Sequence, residues 1–274
     1  MSNRNHVEIW LVIPARYGSV RFGGKVLARE TGKFLIQHTY EQACLSRLSK
    51  RVLIAADDER ICSAAGSFGA ECVLTSPEHT SGTDRIAEAV ADKNVELVIN
   101  VQADEPEIDP ADIDSLAELL IENPNVPMAT LAAEFQSVEQ ITNGDIVKVV
   151  TDSRSRAIYF SRAAIPYDRG RADLGRGATS ESSAKRQLDV KLYLRHIGIY
   201  AYRKEFLLEF TRLPHGRLER IEKLEQLRAI ENGFEILTGK VKHIPSGIDT
   251  PEQYAEFVKR YKKSHRAHRD HRDI

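Results

Sequence analysis

Glu8-Ile9-Trp10-Leu11-Val12-Ile13-Pro14-Ala15-Arg16-Tyr17-Gly18-Ser19-Val20-Arg21-Phe22-Gly23-Gly24-Lys25 reads as a strand running directly into a glycine-rich, basic loop. Loops at the carboxyl ends of parallel strands are where α/β proteins bind ligands. Glycines let the backbone approach a phosphate closely, so that its N–H groups become donors. Arg16, Arg21 and Lys25 place three cations within ten positions, a charge suited to partial neutralisation of a triphosphate. On composition alone a plain glycine turn with solvated cations stays open. Two phosphate-loop patterns fail here. The window ending Gly24-Lys25 begins with Ser19 and continues with Val26, so it is no Walker A loop, and G-x-G-x-x-G is absent.

Working outward, further strands are expected at Val52–Ala56, Glu71–Leu74 and Leu97–Val101, with helices at Phe34–Leu48, Glu59–Phe68 and Thr83–Ala91 between them. Strands separated by helices of this length imply parallel pairing with right-handed crossovers. The run Leu97-Val98-Ile99 suits a sheet covered on both faces. The expected fold class is therefore α/β, a doubly wound, mostly parallel, Rossmann-like sheet. The second half changes texture. Met128–Phe135, Ile146–Thr151, Ala157–Ser161 and Ile197–Tyr202 look like strands with hairpin turns such as Asp152-Ser153-Arg154-Ser155, an antiparallel extension. Arg169–Arg186 reads as a mobile loop. Leu218–Ile230 reads as one amphipathic helix with Leu218, Ile221, Leu224 and Leu227 along a single face. Pro251 opens a last helix after Asp249-Thr250. One domain is expected over 7–262, with halves at 7–125 and 126–262 and a basic, disordered tail (263–274). In that tail His265, His268 and His271 have a spacing that suits a transition metal, although a frayed, solvated end is the plainer reading.

Composition narrows the class. With 274 residues the chain has ample length to bury a core. A net charge of −1 lacks the basic excess of a nucleic-acid binder. No apolar run approaches the roughly 18–20 residues needed to span a bilayer, and the polar N-terminus lacks a secretory apolar region. Cys44, Cys62 and Cys72 form an odd set with no C-x-x-C, suggesting neither a disulfide framework nor a zinc site. A cytoplasmic enzyme or binding protein is expected.

The loop Pro14-Ala15-Arg16-Tyr17-Gly18-Ser19, with Arg21, Gly24 and Lys25, resembles the opening of the 3-deoxy-manno-octulosonate cytidylyltransferases (CMP-Kdo synthetases). The resemblance continues in order through Ser81-Gly82-Thr83-Asp84-Arg85, Gln102-Ala103-Asp104-Glu105-Pro106, Val147-Lys148-Val149-Val150, Tyr159-Phe160-Ser161-Arg162, Arg195-His196-Ile197-Gly198-Ile199-Tyr200, Leu224-Glu225-Gln226-Leu227-Arg228 and Asp249-Thr250-Pro251-Glu252. The chain departs from the family pattern in Phe22-Gly23-Gly24-Lys25-Val26-Leu27, where the family has Leu-Pro-Gly-Lys-Pro-Leu. It also has Val20 for a hydroxyl residue and Ala103 for a glycine. The Arg-Gly-Gly-Ser-Lys of the related sialic-acid activators is absent.

The resemblance implies an enzyme that joins CTP to an acidic 3-deoxy-octulosonate sugar, releasing pyrophosphate, for lipopolysaccharide biosynthesis. It implies Mg²⁺ as cofactor, a homodimer, and neither nucleic acid nor membrane as partner. It further implies that the first half (7–125) binds nucleotide and that the second (126–262) binds sugar and dimerises. Arg16, Lys25 and Asp104 are the implied catalytic residues. Ala15, Arg16, Arg21, Lys25, Ser81, Gly82, Thr83 and Gln102 would bind the nucleotide. Asp104 falls just past a strand, at the sheet edge of the basic loop. A lone carboxylate facing a triphosphate repels it unless a divalent cation intervenes, and Mg²⁺ takes one or two carboxylates plus phosphate oxygens. Asp249 is the implied second ligand, with a helix N-cap as its plain alternative; Ser81-Gly82-Thr83 is likewise ordinary capping chemistry. For the acidic sugar, Arg162, His196 and Tyr200 supply donors and Glu225 and Gln226 accept from hydroxyls. His196 and Tyr200 should share a strand face. Rival expectations are the 8-amino-3,8-dideoxy sugar, prompted by Phe22 and Gly216-Arg217-Leu218-Glu219, and a non-catalytic nucleotide-binding homologue, prompted by the altered loop. A NAD-dependent oxidoreductase is disfavoured by the missing fingerprint.

Overall fold

The structure, a computed structural model, describes residues 7–18, 22–169 and 189–270. Arg21 and Val20, the Gly/Ser/Arg-rich stretch beyond Arg169, and His271 lie outside the described residues.

The opening strand forms as expected. β1 (Ile9–Ala15) alternates Ile9, Leu11 and Ile13 into one apolar core and Trp10 and Val12 into another, so both of its faces are covered. It pairs in parallel with β2 (Arg51–Ala56) on one side and β4 (Leu97–Asn100) on the other, and β3 (Glu71–Leu74) lies beyond β2. The chain thus winds outward from β1 and returns past it to β4. The crevice between the loops after β1 and β4 is the switch point where open α/β sheets take ligands.

Helices α1 (Leu35–Ala43), α2 (Glu59–Ser67) and α4 (Pro110–Glu122) cover the first face, and α3 (Gly82–Val90) and α6 (Lys204–Phe210) the second. Helix α4 escapes the sequence reading, although Asp109-Pro110 is a cap followed by proline at N1.

The second half supplies the antiparallel members. β8 (Leu194–Arg203) inserts antiparallel between β4 and β5 (Met128–Glu134). β6 (Lys148–Thr151) and β7 (Ala157–Ser161) form the expected hairpin, whose Asp152 carboxylate accepts the Arg154 and Arg156 N–H groups at 2.8 and 2.9 Å. β9 (Ile236–Val241), unanticipated, pairs in parallel with β5 at the far edge. The main path runs β3-β2-β1-β4-β8-β5-β9. The short α5 (Val138–Thr142) links β5 to β6.

Two expectations need correction. The amphipathic stretch Leu218–Ile230 is broken into α7 (Arg217–Glu222) and α8 (Leu227–Glu231), with Lys223 left-handed at φ 56°. Ile221, expected in the apolar stripe, is 63% exposed, because the break turns its side away from the core that takes Leu224 and Leu227. Cys62 and Cys72 are joined by a disulfide between α2 and β3, a single local pair that the odd count concealed; Cys44 is exposed and free. The final helix, α9 (Pro251–Asp270), extends into the expected tail as far as Asp270, with neither glycine nor proline to interrupt it; residues 271–274 lie outside the described residues.

Candidate active site

Elements meeting at the switch point enclose a cleft of about 360 Å³ lined by Ala15, Arg16 and Lys25 after β1, Ser81 and Gly82 at the start of α3, Gln102 and Asp104 after β4, and Asp249 before α9. Six expected nucleotide-site positions and both expected metal ligands are thereby brought to one cavity. Thr83, one residue beyond Gly82, is buried under it.

The loop after β1 is built to hold Lys25 in place. Gly24 takes φ +66°, where an L side chain is strained, and its N–H donates to Tyr17 O at 3.1 Å. Tyr17 N–H donates to Asp57 Oδ1 at 2.8 Å. Val26, where the family pattern has proline, sits 2% exposed in the core and anchors a 3-10 turn at Lys25–Leu27. The stiffening expected of a proline ring is supplied here by burial.

From that base the Lys25 ammonium donates to Asp104 Oδ2 at 2.6 Å, Ile248 O at 2.9 Å and Asp249 Oδ1 at 3.0 Å. Two carboxylates from distant parts of the chain therefore converge on one cation. The alternative role for Asp249 is taken by its neighbours: Gln253 N–H donates to Thr250 Oγ1, and Gln253 Oε1 accepts the Thr250 and Asp249 N–H groups at 3.0 and 2.7 Å. That reciprocal cap leaves the Asp249 carboxylate to face Lys25.

Ser81 behaves as the plain reading had it. Its hydroxyl accepts the Asp84 N–H and donates to the Asp84 carboxylate, so the side chain is spent on capping α3. What the turn offers the cleft is backbone. Gly82 makes this possible, for a Cβ there would lie 3.2 Å from Pro14 Cγ at the end of β1. Ala103, in place of the family's glycine, tucks its methyl into the core while its carbonyl accepts from Thr39 at 3.2 Å.

Sequence reading passed over His79, Thr80 and Arg85, which also line the cleft. Arg85 is 3% exposed and reaches Thr75 Oγ1 at 2.7 Å and Asp57 at 3.5 Å, tying α3 to the carboxylate that pins Tyr17. His79 Nε2 bonds the Glu88 carboxylate, which also accepts the Ser76 N–H. Both flank Ser81–Thr83, and a cation adjoining a capping turn was the available signal. Glu105, in the Gln102–Pro106 motif, lies buried next to Asp104 in the chain. Burial, with Asp104 beside it, pushes its carboxyl up to about 8 against the opposing pull of Arg195.

The five expected sugar residues do not line this cleft. His196 and Tyr200 stand on β8, and Glu225 and Gln226 lie between α7 and α8. His196 and Tyr200 do share a face, with ring centroids 5.5 Å apart, and Phe160 packs edge-on against His196 at 4.9 Å. Burial depresses the His196 imidazole to about 3, so it is neutral at physiological pH. Thr130 Oγ1 lies 3.0 Å from His196 Nε2 and donates its one proton to the carbonyls at Ile197 and Ile199. Its oxygen therefore accepts, which assigns the proton to Nε2 and leaves Nδ1 an acceptor. Burial likewise raises the Tyr200 phenol well above its ordinary value.

Glu225 Oε2 accepts from Thr83 Oγ1 at 2.6 Å, joining the nucleotide turn to the β8 cluster; burial raises its carboxyl pKa. Glu225 Oε1 and Gln226 Nε2 are buried without hydrogen-bond partners among the described residues. Arg162 is held by backbone: its Nε and Nη1 donate to the carbonyls of Glu222 and Gly144 at 2.9 and 3.2 Å. Phe22 packs on Tyr254 at 5.7 Å, and the Gly216–Glu219 run opens α7.

Similarity to known proteins coincides with this geometry. A cytidylyltransferase family model matches residues 10–240. The 3-deoxy-manno-octulosonate cytidylyltransferase of Solibacter usitatus (strain Ellin6076) is 44% identical over 253 residues, 92% of this chain and 94% of its own length. That of Syntrophotalea carbinolica (strain DSM 2380 / NBRC 103641 / GraBd1) is 46% identical over 246 residues, 90% and 95% of the two chains. A solved structure of CMP:2-keto-3-deoxy-manno-octonic acid synthetase complexed with CTP matches with TM-score 0.84 and 37% identity, over 94% of this chain and 99% of that one. At 10% identity, 4-diphosphocytidyl-2C-methyl-D-erythritol synthase from Anaerococcus prevotii DSM 20548 shares the fold alone, with TM-score 0.59. Sequence motifs, cleft and relatives agree, and the chain belongs to the cytidylyltransferase family, within its 3-deoxy-manno-octulosonate cytidylyltransferases.

Proposed function

We propose that this enzyme transfers the cytidylyl group of CTP to the anomeric hydroxyl of 3-deoxy-D-manno-octulosonate, giving CMP-Kdo and pyrophosphate for lipopolysaccharide assembly. The observation that carries the reading is the convergence of Asp104 and Asp249 on one cation beside the basic loop. An anionic wall facing a polyanionic substrate is workable only with positive charge between them.

The donor set fits Mg²⁺. It consists of two carboxylates and a nearby carbonyl, all hard oxygens. Among the described residues no group of three or more His, Cys, Asp or Glu gathers, so phosphate oxygens and water would complete the shell. Asp104 and Asp249 would hold the ion, which when bound neutralises phosphate charge and favours ionisation of the attacking hydroxyl.

The protein's own groups do the rest by position and electrostatics. Arg16 and Lys25 take the triphosphate and the charge that develops on departing pyrophosphate, with Arg21 in support. Backbone donors at Ala15, Gly82 and Thr83, with Gln102, hold the nucleotide. His196, neutral, offers Nδ1 to a sugar hydroxyl and adds no charge. Tyr200 donates; Glu225, whose Oε1 has an ion pair with Arg228 but no hydrogen bond, and Gln226, whose Nε2 has none among the described residues, meet hydroxyls. Arg162 serves the sugar carboxylate once its guanidinium leaves its backbone carbonyls.

The reading includes a homodimer, supported by the edge strand β7, its exposed Ile158 and the neighbouring exposed Ile221. It also includes a cytoplasmic site of action, where CTP is made; no helix among the described residues is long and apolar enough to cross a membrane. The test is pyrophosphate release with each of four nucleotides and with Kdo or its 8-amino analogue, with and without Mg²⁺. Release confined to CTP, Kdo and Mg²⁺ together is expected. No release with any sugar refutes the reaction, and preference for the amino sugar at limiting CTP refutes the substrate.

A further inference from the structure

Lys25 is in the position that a divalent cation would need. A lysine ammonium has three N–H donors, and all three are committed: to Asp104 Oδ2, to Ile248 O and to Asp249 Oδ1. With the ammonium in place the pair of carboxylates carries a net charge of −1; with a divalent cation instead it would be neutral. With both it would be positive, and ammonium and metal would face one another across a hydrogen-bond distance. The two occupants exclude each other.

We propose that Lys25 holds the metal position in the free protein and gives it up only when the nucleotide triphosphate arrives, so that the divalent cation binds the CTP complex rather than the free enzyme. This deepens the function proposed above and rests on it. The triphosphate supplies what the exchange lacks: a second anion for the ammonium to move to. The backbone around Lys25 is fixed by the Gly24–Tyr17 hydrogen bond and by buried Val26, while the four-carbon stem can swing. Nucleotide and metal then strengthen one another's binding by the same factor, as linkage requires.

A different role, in which Lys25 merely gathers the carboxylates, predicts the opposite behaviour. The backbone disfavours it. Ile248 N–H donates to Asp104 O at 2.9 Å, so the strap carrying Asp249 is fastened beside Asp104 by a bond that does not involve the lysine.

The test needs no turnover. Mn²⁺ binding to the full chain, without nucleotide, is followed by the electron paramagnetic resonance of free Mn²⁺. Lys25→Met and Lys25→Gln are both titrated, so that one folded variant suffices, with circular dichroism confirming the fold. At least tenfold tighter binding than wild type is expected, and its loss when Asp104→Asn is added. Unchanged or weaker binding in the Lys25 variants overturns the proposal, as does a gain that survives Asp104→Asn. The pyrophosphate assay on the wild type separates the two claims. Activity without the Mn²⁺ effect sinks the exchange alone; the Mn²⁺ effect without activity sinks the reaction alone.

Discussion

Asp104 illustrates how one side chain acquires its role from its surroundings. It follows β4, shares the Lys25 ammonium with Asp249, and is 27% exposed at the cleft, so its replacement removes charge without opening the core. Asp104→Asn should lower pyrophosphate release by roughly a thousandfold or more while shifting the melting temperature by no more than about 2 °C. Near-wild-type turnover would remove Asp104 from the chemistry. Two buried groups give the protein an internal pH signature with opposite signs. His196 is held at about 3 against an ordinary 6.5, so the unfolded chain takes up a proton that the folded chain refuses, and stability falls as pH drops from about 6.5 towards 3. Glu105 is raised to about 8 from 4.5, so its contribution is present below 4.5 and is lost as pH rises through 8. In urea titrations across this range, His196→Gln should flatten the acid-side decline and Glu105→Gln the alkaline-side decline. Unaltered slopes would show that neither site excludes charge.

At the scale of elements, the informative failure of sequence reading is the stretch Leu218–Ile230. Its three-residue apolar spacing describes a continuous helix, yet Lys223 turns left-handed and splits it. The reasons are long-range: the Glu222 carboxylate accepts from Ser161 and the Arg162 N–H at the end of β7, while Glu219 pairs with buried Arg228 across the break. Periodicity cannot report such partners. Lys223→Gly relieves the left-handed strain and should raise stability by about 0.5–1 kcal/mol, read from the urea midpoint; a loss would mean the conformation is not strained. Helix α3 offers the complementary case, since its Ser-Gly-Thr start was legible as a cap and proved to be one. Gly82→Ala brings a methyl within 3.2 Å of Pro14 and displaces the turn by a few tenths of an ångström. The KM for CTP should rise several-fold, roughly three- to tenfold, with a smaller change in KM for the sugar; an unmoved KM for CTP would place the nucleotide elsewhere.

Across the whole molecule, the cleft is assembled from both ends of the chain. The C-terminal helix α9 docks Tyr254, Phe257 and Val258 against Leu35 and Ile248, and that packing places Asp249 opposite Asp104. Phe257, 2% exposed, is not among the residues lining the cleft. Phe257→Ala costs about 3–5 kcal/mol of packing and should raise the Mg²⁺ concentration for half-maximal rate much more than the KM for sugar. Equal effects on both would show that α9 supports the fold generally rather than the metal position.

The winding of β1 to β4, the hairpin of β6 and β7, and the clustering of charged motifs at one sheet edge were set by local pattern, because alternation, capping and turn chemistry act over a few residues. So too was the family, carried by motifs kept in order. Other features were decided only by tertiary structure: Lys25 lodged between two aspartates, the insertion of β8 beside β4, the split after Glu222, and the carbonyls that hold the Arg162 guanidinium. Each depends on groups far apart in the chain meeting in space, where burial and charge are settled by neighbours that no short window of sequence contains.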